Sequence, residues 1–297
     1  MRKTAFALLT IIMAIPVLIH AQILIEPEGT LRIPDSAHVQ MLYLTDGTTL
    51  VGRITEITDD DVTFATDIGS ITIEKTKIRE IREVPVSSMK GGVYWFPSPN
   101  YTRLFFAPTA RPLQKGDGYF ADYLLFFPMV AYGLTDNITI AGGMSIAPFD
   151  DFFATNLYYV APKIGFEPTR TLALSAGLFL VKLPSFGDET LPTVGMTYGL
   201  TTVGSPNASL TGGLGFGFVD WEFSSKPFWL IGGEGRISRN YSLVTENWFV
   251  PGLDDPIVSY GLRFIGEKLS VDLIFWNDLG GDVRFPGWPM IDFVITF

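Results

Sequence analysis

Apolar and small or polar residues alternate with a period of two along most of the C-terminal two thirds of the chain. In the last such run Ile291, Phe293, Ile295 and Phe297 share one face, and Met290, Asp292, Val294 and Thr296 share the other. Around Leu214 the bulky face is Leu210, Leu214, Phe216 and Phe218, while the opposite face is Thr211, Gly213, Gly215 and Gly217. This period belongs to strands. From Tyr101 onward the pattern predicts twelve strands, with ten and fourteen as the neighbouring even counts, centred near Phe105, Phe126, Gly142, Val160, Ala176, Thr197, Leu214, Gly232, Thr245, Gly261, Leu273 and Val294. Short turns at 135–137, 167–170, 205–207, 238–240 and 266–268 interleave with longer loops at 109–118, 148–153, 184–191, 220–227, 250–256 and 277–287.

The N-terminal third reads differently. Residues 22–37 form a leader broken by Pro27, Gly29 and Pro34, and residues 85–100 form a linker with three prolines and a Gly-Gly pair. Between them, in residues 38–84, five short β-branched runs (39–44, 49–57, 62–66, 70–74 and 78–81) are separated by Asp- and Gly-bearing turns. The run DGTTLVGRITEITDDDVTF within this segment resembles the SH3-like and Sm-like small barrels. That resemblance implies RNA for some members, yet five basic against nine acidic residues repel a polyanion. No nucleic-acid partner is expected; a periplasmic protein or a cell-wall component is the expected partner of residues 38–84. Asp59-Asp60-Asp61 lacks the alternate spacing of a calcium loop and reads as a solvated turn.

Residues 1–21 pair Arg2 and Lys3 with an apolar stretch from Ala5 to Ile19 and a small Ala21, the pattern of a secretory signal peptide. Its removal leaves 19 basic and 31 acidic groups. With 47% hydrophobic and only 18% charged residues, the chain is apolar, yet beyond the first twenty residues nothing is long enough to span a bilayer as a helix. The faces opposite the bulky ones are Gly, Thr and Ser, too small and uncharged for an ordinary solvated surface. Backbone polar groups in lipid must all be paired, so a closed barrel with a lipid-facing exterior follows. The expected fold is all-β: an antiparallel transmembrane β-barrel of about 12 strands over 101–297, preceded by a small SH3/Sm-like β domain. An even strand count returns both barrel ends to the periplasm. The alternation of Ile291, Phe293 and Ile295 ending on Phe297 resembles the assembly signal of bacterial outer-membrane barrels, which implies outer-membrane lipid and the barrel-assembly machinery as partners. Residues 101–297 as a whole resemble uncharacterised outer-membrane barrels of Gram-negative bacteria, a likeness of architecture that carries no activity.

Chemistry is sparse. There is no cysteine, and His38 is the single histidine after residue 21. Outer-membrane phospholipases and omptin-type proteases use a barrel histidine, and residues 101–297 contain none, so no enzyme, catalytic residue, cofactor or metal site is expected. Asp150-Asp151 and Asp254-Asp255 read as solvated loop tips, and the glycine runs lack the helix a phosphate loop needs. Trp221, Trp229, Trp248, Trp276 and Trp288 fall at strand ends beside longer loops and predict an interfacial aromatic belt. Period two turns Glu234, Arg236, Glu246, Arg263, Asp272 and Asp292 inward on five consecutive strands, four acids against two bases, with Lys163 the nearest further cation. Such a cluster serves either as a salt-bridge network filling the barrel or as a cation-preferring constriction. The functional expectation is a narrow channel for small solutes. The alternative is a non-conducting anchor that presents residues 38–84, and a carboxylate-based outer-membrane enzyme is more distant still.

Overall fold

The computed structural model describes residues 28–146, 152–185, 191–278, 280, 283 and 285–297. Residues 1–21 and the Asp150-Asp151 pair lie outside these. The chain divides into two compact units after Tyr94. No helix among the described residues is long and apolar enough to cross a membrane.

The first unit is a five-stranded antiparallel sheet of β1 (His38–Leu44), β2 (Thr49–Ile57), β3 (Asp61–Thr66), β4 (Gly69–Glu74) and β5 (Ile78–Pro85), in spatial order 4-3-2-1-5. Alternate side chains of these strands, Leu42, Ile54, Val62, Phe64, Ile73, Ile78 and Ile81, make its core, and Leu31 of the leader packs on it. Gln40 is fully buried there and fully used. Its Nε2 donates to the Arg32 carbonyl at 2.8 Å, and its Oε1 accepts the Ile54 N–H at 2.9 Å, so the leader is tied across the sheet. The expected linker holds a small hairpin of its own, Met89–Lys90 with Val93–Tyr94.

The second unit is a closed barrel of twelve strands: β6 (Gly118–Tyr123), β7 (Phe127–Gly133), β8 (Ile138–Met144), β9 (Tyr158–Thr169), β10 (Leu172–Lys182), β11 (Thr193–Ser205), β12 (Ala208–Val219), β13 (Phe228–Arg236), β14 (Tyr241–Phe249), β15 (Ile257–Ile265), β16 (Leu269–Asp278) and β17 (Trp288–Thr296). Each strand pairs antiparallel with its sequence neighbour, and β17 closes on β6 from Asp292↔Tyr123 to Thr296↔Tyr119. Closure leaves no unpaired edge. Every barrel strand but the first turns exposed large apolar side chains outward, among them Val130, Ile164, Val203, Leu210, Ile231 and Leu243. The five short connections expected lie at one barrel end, where the chain also enters and leaves. A sixth, the β6–β7 turn at 124–126, lies at the other end, and the long loop expected at 109–118 falls before the first wall strand instead.

Two expectations fail at the start of the barrel. The strand expected at Phe105 does not exist: Phe105 is fully buried in an irregular segment, residues 95–117, and this stretch carries Pro97, Pro99, Pro108 and Pro112. Proline cannot donate to a strand ladder, which is why the segment stays out of the wall. Residues 95–100, expected in the linker, belong to the barrel unit. The strand expected around Phe126 is instead a hairpin, β6–β7, turning at Leu124 and Leu125. One strand lost and one gained keep the total at twelve.

Candidate functional site: a stoppered lumen

Residues 95–117 fold back on themselves inside the barrel. Thr109 N–H donates to the Thr102 carbonyl at 2.8 Å, and Leu104 N–H donates to Ala107 carbonyl at 2.9 Å, so the segment is a pinned loop with its tip at 104–107. It enters at the short-turn end, where Arg236 Nη1 donates to the Phe96 carbonyl at 2.7 Å and to Asn207 Oδ1 at 3.0 Å. The guanidinium of Arg236 also covers the rings of Trp95 and Phe96 at 5.1 and 5.2 Å.

The six inward charges predicted from alternation are all buried, and all but Glu234 bond to this loop. Glu246 Oε2 accepts three successive backbone N–H groups of the tip, Phe105 at 2.9 Å and Phe106 and Ala107 at 3.0 Å each. Its other oxygen accepts the Trp248 indole N–H at 2.6 Å. Arg263, fully buried, pairs fork-to-fork with Asp272 at 2.8 and 2.7 Å and reaches Glu234 Oε2 at 2.6 Å. It also donates to the Leu104 carbonyl at 2.6 Å and the Asn100 carbonyl at 3.2 Å, so one wall cation holds both wall carboxylates and the loop backbone.

Asp292 has a partner that alternation did not supply. Arg103, on the loop, donates through Nη2 to both Asp292 oxygens at 2.6 Å, through Nε to Asn100 Oδ1 at 2.8 Å, and through Nη1 to the Tyr123 hydroxyl. The local excess of negative charge expected in the lumen is therefore met by the loop. Further along, Lys163 donates to the Thr109 and Arg111 carbonyls at 2.9 and 2.7 Å. Thr202 and Thr139 hydroxyls accept the Ala110 and Leu113 N–H groups at 2.8 and 2.9 Å. The wall leaves room for the loop with glycine. A Cβ at Gly165 would sit 2.9 Å from the Ala110 carbonyl oxygen, and one at Gly133 would collide with that of Gln114.

Above the tip the lumen opens into a cavity of about 480 Å³. Its floor includes Arg103, Phe106 and Lys163, and its walls include Tyr119 and Tyr198, with Tyr159, Phe179 and Phe228 near the long-connection ends of their strands. Phe106 stacks on Tyr123 at 5.3 Å, which seats the tip against the wall.

The tryptophans do not form one belt. Trp229 and Trp221 are more than half exposed and turned outward or on a loop. Trp248 lies on the face of Glu246 and lines the cavity, and its indole N–H bonds to that buried carboxylate. Trp276 and Trp288 are cross-strand partners on the face of Asp272 and Asp292, at the barrel mouth. Ile291, Ile295 and Phe297 are exposed on the outer face and Phe293 is half-buried there; Phe297 donates its N–H to the Gly118 carbonyl at 3.0 Å across the closing seam. Asp254-Asp255 is an exposed loop pair.

No family model matches the chain, and no curated protein does. Among solved structures it is similar to the KdgM porin (8% identity, 61% of this chain, 95% of that one, TM-score 0.41). It is also similar to OmpT, an outer-membrane protein of Vibrio cholerae (12% identity, 89% and 98%, TM-score 0.32), and to a triple mutant of the Rhodopseudomonas blastica porin (9% identity, 88% and 97%, TM-score 0.32).

Proposed function

We propose that this protein is an outer-membrane β-barrel that keeps its lumen closed with its own residues 95–117 and uses the remaining cup as a binding chamber. The carrying observation is the grip of Glu246 and Arg263 on the backbone of the loop tip. A backbone held by buried charges in the low dielectric of a lumen is a fixed part of the wall, because each group it satisfies would otherwise be buried without a partner. The apolar girdle on the outer face supports insertion in lipid, where a closed barrel satisfies all its backbone groups. In this reading the short-turn end faces the periplasm, and the five-stranded module, taken from its sequence as an SH3/Sm-like domain, is the protein's contact with a periplasmic or cell-wall partner.

The test is planar-bilayer conductance of the purified full-length protein. A silent barrel is the expected result. Steady unitary currents from the unaltered protein would instead favour a narrow channel for small solutes, for which residues 95–117 must leave the lumen.

A further inference from the structure

The cup has one chemical feature that the closure of the barrel does not use. Lys163 is buried, with 5% of its surface exposed, at the floor of a cup lined mostly by aromatic and aliphatic side chains, with Thr139 directly opposite it on β8. An ammonium group has three N–H donors. Two are spent on the Thr109 and Arg111 carbonyls, and no carboxylate lies within ion-pair distance of it among the described residues. The nearby acid Glu167 is paired with Arg111 at 3.0 Å. The other cation of the floor, Arg103, is committed to Asp292. A buried ammonium held only by neutral carbonyls has no counter-charge beside it, and an anion brought to its remaining donor stabilises its charged form.

Resting on the closed-barrel reading, we infer that the cup binds an amphipathic monocarboxylate, its carboxylate on Lys163 and its apolar body among Tyr159, Phe179, Tyr198 and Phe228. The size fits. Small-molecule pockets run to roughly 300–1,000 Å³, lined mostly by apolar and aromatic groups with a few placed polar ones, and this cavity of about 480 Å³ has that make-up. The body is uncharged, because no further cation with an uncommitted donor lines the cup among the described residues. Ala141 and Ala161, opposite each other on β8 and β9, keep the entrance to Lys163 wide, since larger residues there would fill the space above it.

The experiment is binding of 2-naphthoate, with its neutral amide 2-naphthamide as control, to the full-length protein in lipid nanodiscs, read by tryptophan fluorescence, to which Trp248 on the cup wall contributes. The expected result is saturable binding of the carboxylate, at least about tenfold tighter than the amide, the scale of one charge-assisted hydrogen bond. Lys163→Met should abolish that preference while leaving the amide affinity within about twofold. Ala161→Phe keeps Lys163 and fills the cup, so it should weaken both ligands together. This second variant also stands in for the first if Lys163→Met fails to assemble. Equal affinity for carboxylate and amide, an unchanged preference in Lys163→Met, or binding that persists in Ala161→Phe would overturn the inference. A protein that is silent in bilayers but indifferent to the carboxylate refutes this inference alone. One that conducts steadily refutes the closed cup, and the inference with it.

Discussion

Arg103 shows how a single side chain completes a charge system begun elsewhere. The wall carries Glu234, Glu246, Asp272 and Asp292, and Arg263 settles two of them. Glu246 is settled by backbone N–H groups, and Asp292 by Arg103, 189 residues away in sequence. Removing one partner of such a buried pair costs more than the pair contributes, because the remaining charge stays buried. Arg103→Met is therefore expected to destabilise the barrel by about 3–5 kcal/mol, read as a lower urea midpoint for unfolding from lipid. The double variant with Asp292→Asn should recover a large part of the loss. A double variant as unstable as the single one would mean that Arg103 acts through its packing on Tyr123 instead.

At the scale of elements, the β6–β7 hairpin is the least conventional part of the wall. Leu124 and Leu125 both adopt left-handed backbone, with φ of 57° and 64°, in the tight turn closed by the Phe126 N–H to the Tyr123 carbonyl at 3.1 Å. Such turns favour Asn-Gly, since a Cβ in that region is strained. Leu125 is 60% exposed, so little packing offsets the strain. Replacing Leu124-Leu125 by Asn-Gly should raise stability by about 1–2 kcal/mol, seen as a higher urea midpoint with unchanged slope. A lower midpoint would show that the leucines gain more from their surroundings than their backbone costs.

Taken as a whole molecule, the protein joins a five-stranded module to a barrel whose lumen is filled by residues 95–117. In the module, His38 at 2.7 Å holds the Asp35 carboxyl below the usual carboxylate range, and Arg32, bidentate at 2.9 and 2.8 Å, does the same for Glu83. A carboxyl lowered in the folded state adds stability above its unfolded pKa, and that contribution is lost as pH falls through the folded value. The first contact ties the leader to β1 and the second ties it to β5, so acidification from neutral to below the carboxylate range should loosen the leader. The measurable sign is faster exchange, after correction for the intrinsic rate, of the Ile81 amide, which donates to the Glu28 carbonyl at 2.8 Å. Exchange at Ile81 that stays constant across this range would show that the Gln40 bond and the apolar seat of Leu31 hold the leader without these ion pairs.

What the sequence by itself determined is whatever depends on a residue and its near neighbours. The period of two states which side chains of β13 to β17 face inward, because successive residues of a strand must point to opposite sides. Asp, Asn or Gly marks four of the five short connections and Pro168 the fifth, because those residues suit turn backbone. Tertiary structure alone decided what fills the lumen. Alternation predicts a strand at Phe105 within residues 95–117, and the four prolines of this stretch are the local signal against it. Where the stretch lies depends on Glu246 and Arg263, more than a hundred residues further along. For Trp248 the place at a strand end suggests lipid, but the period of two sets it on the inner face with Glu246, and the structure adds the bond from its indole N–H to that carboxylate. The hairpin at Leu124-Leu125 was hidden because its backbone conformation opposes the local preference of leucine, and only the pairing of β6 with β17 and β7 holds it there. Alternation is a local steric property of the chain, whereas the pairing of a buried charge depends on which distant donors the closed barrel brings within hydrogen-bonding distance.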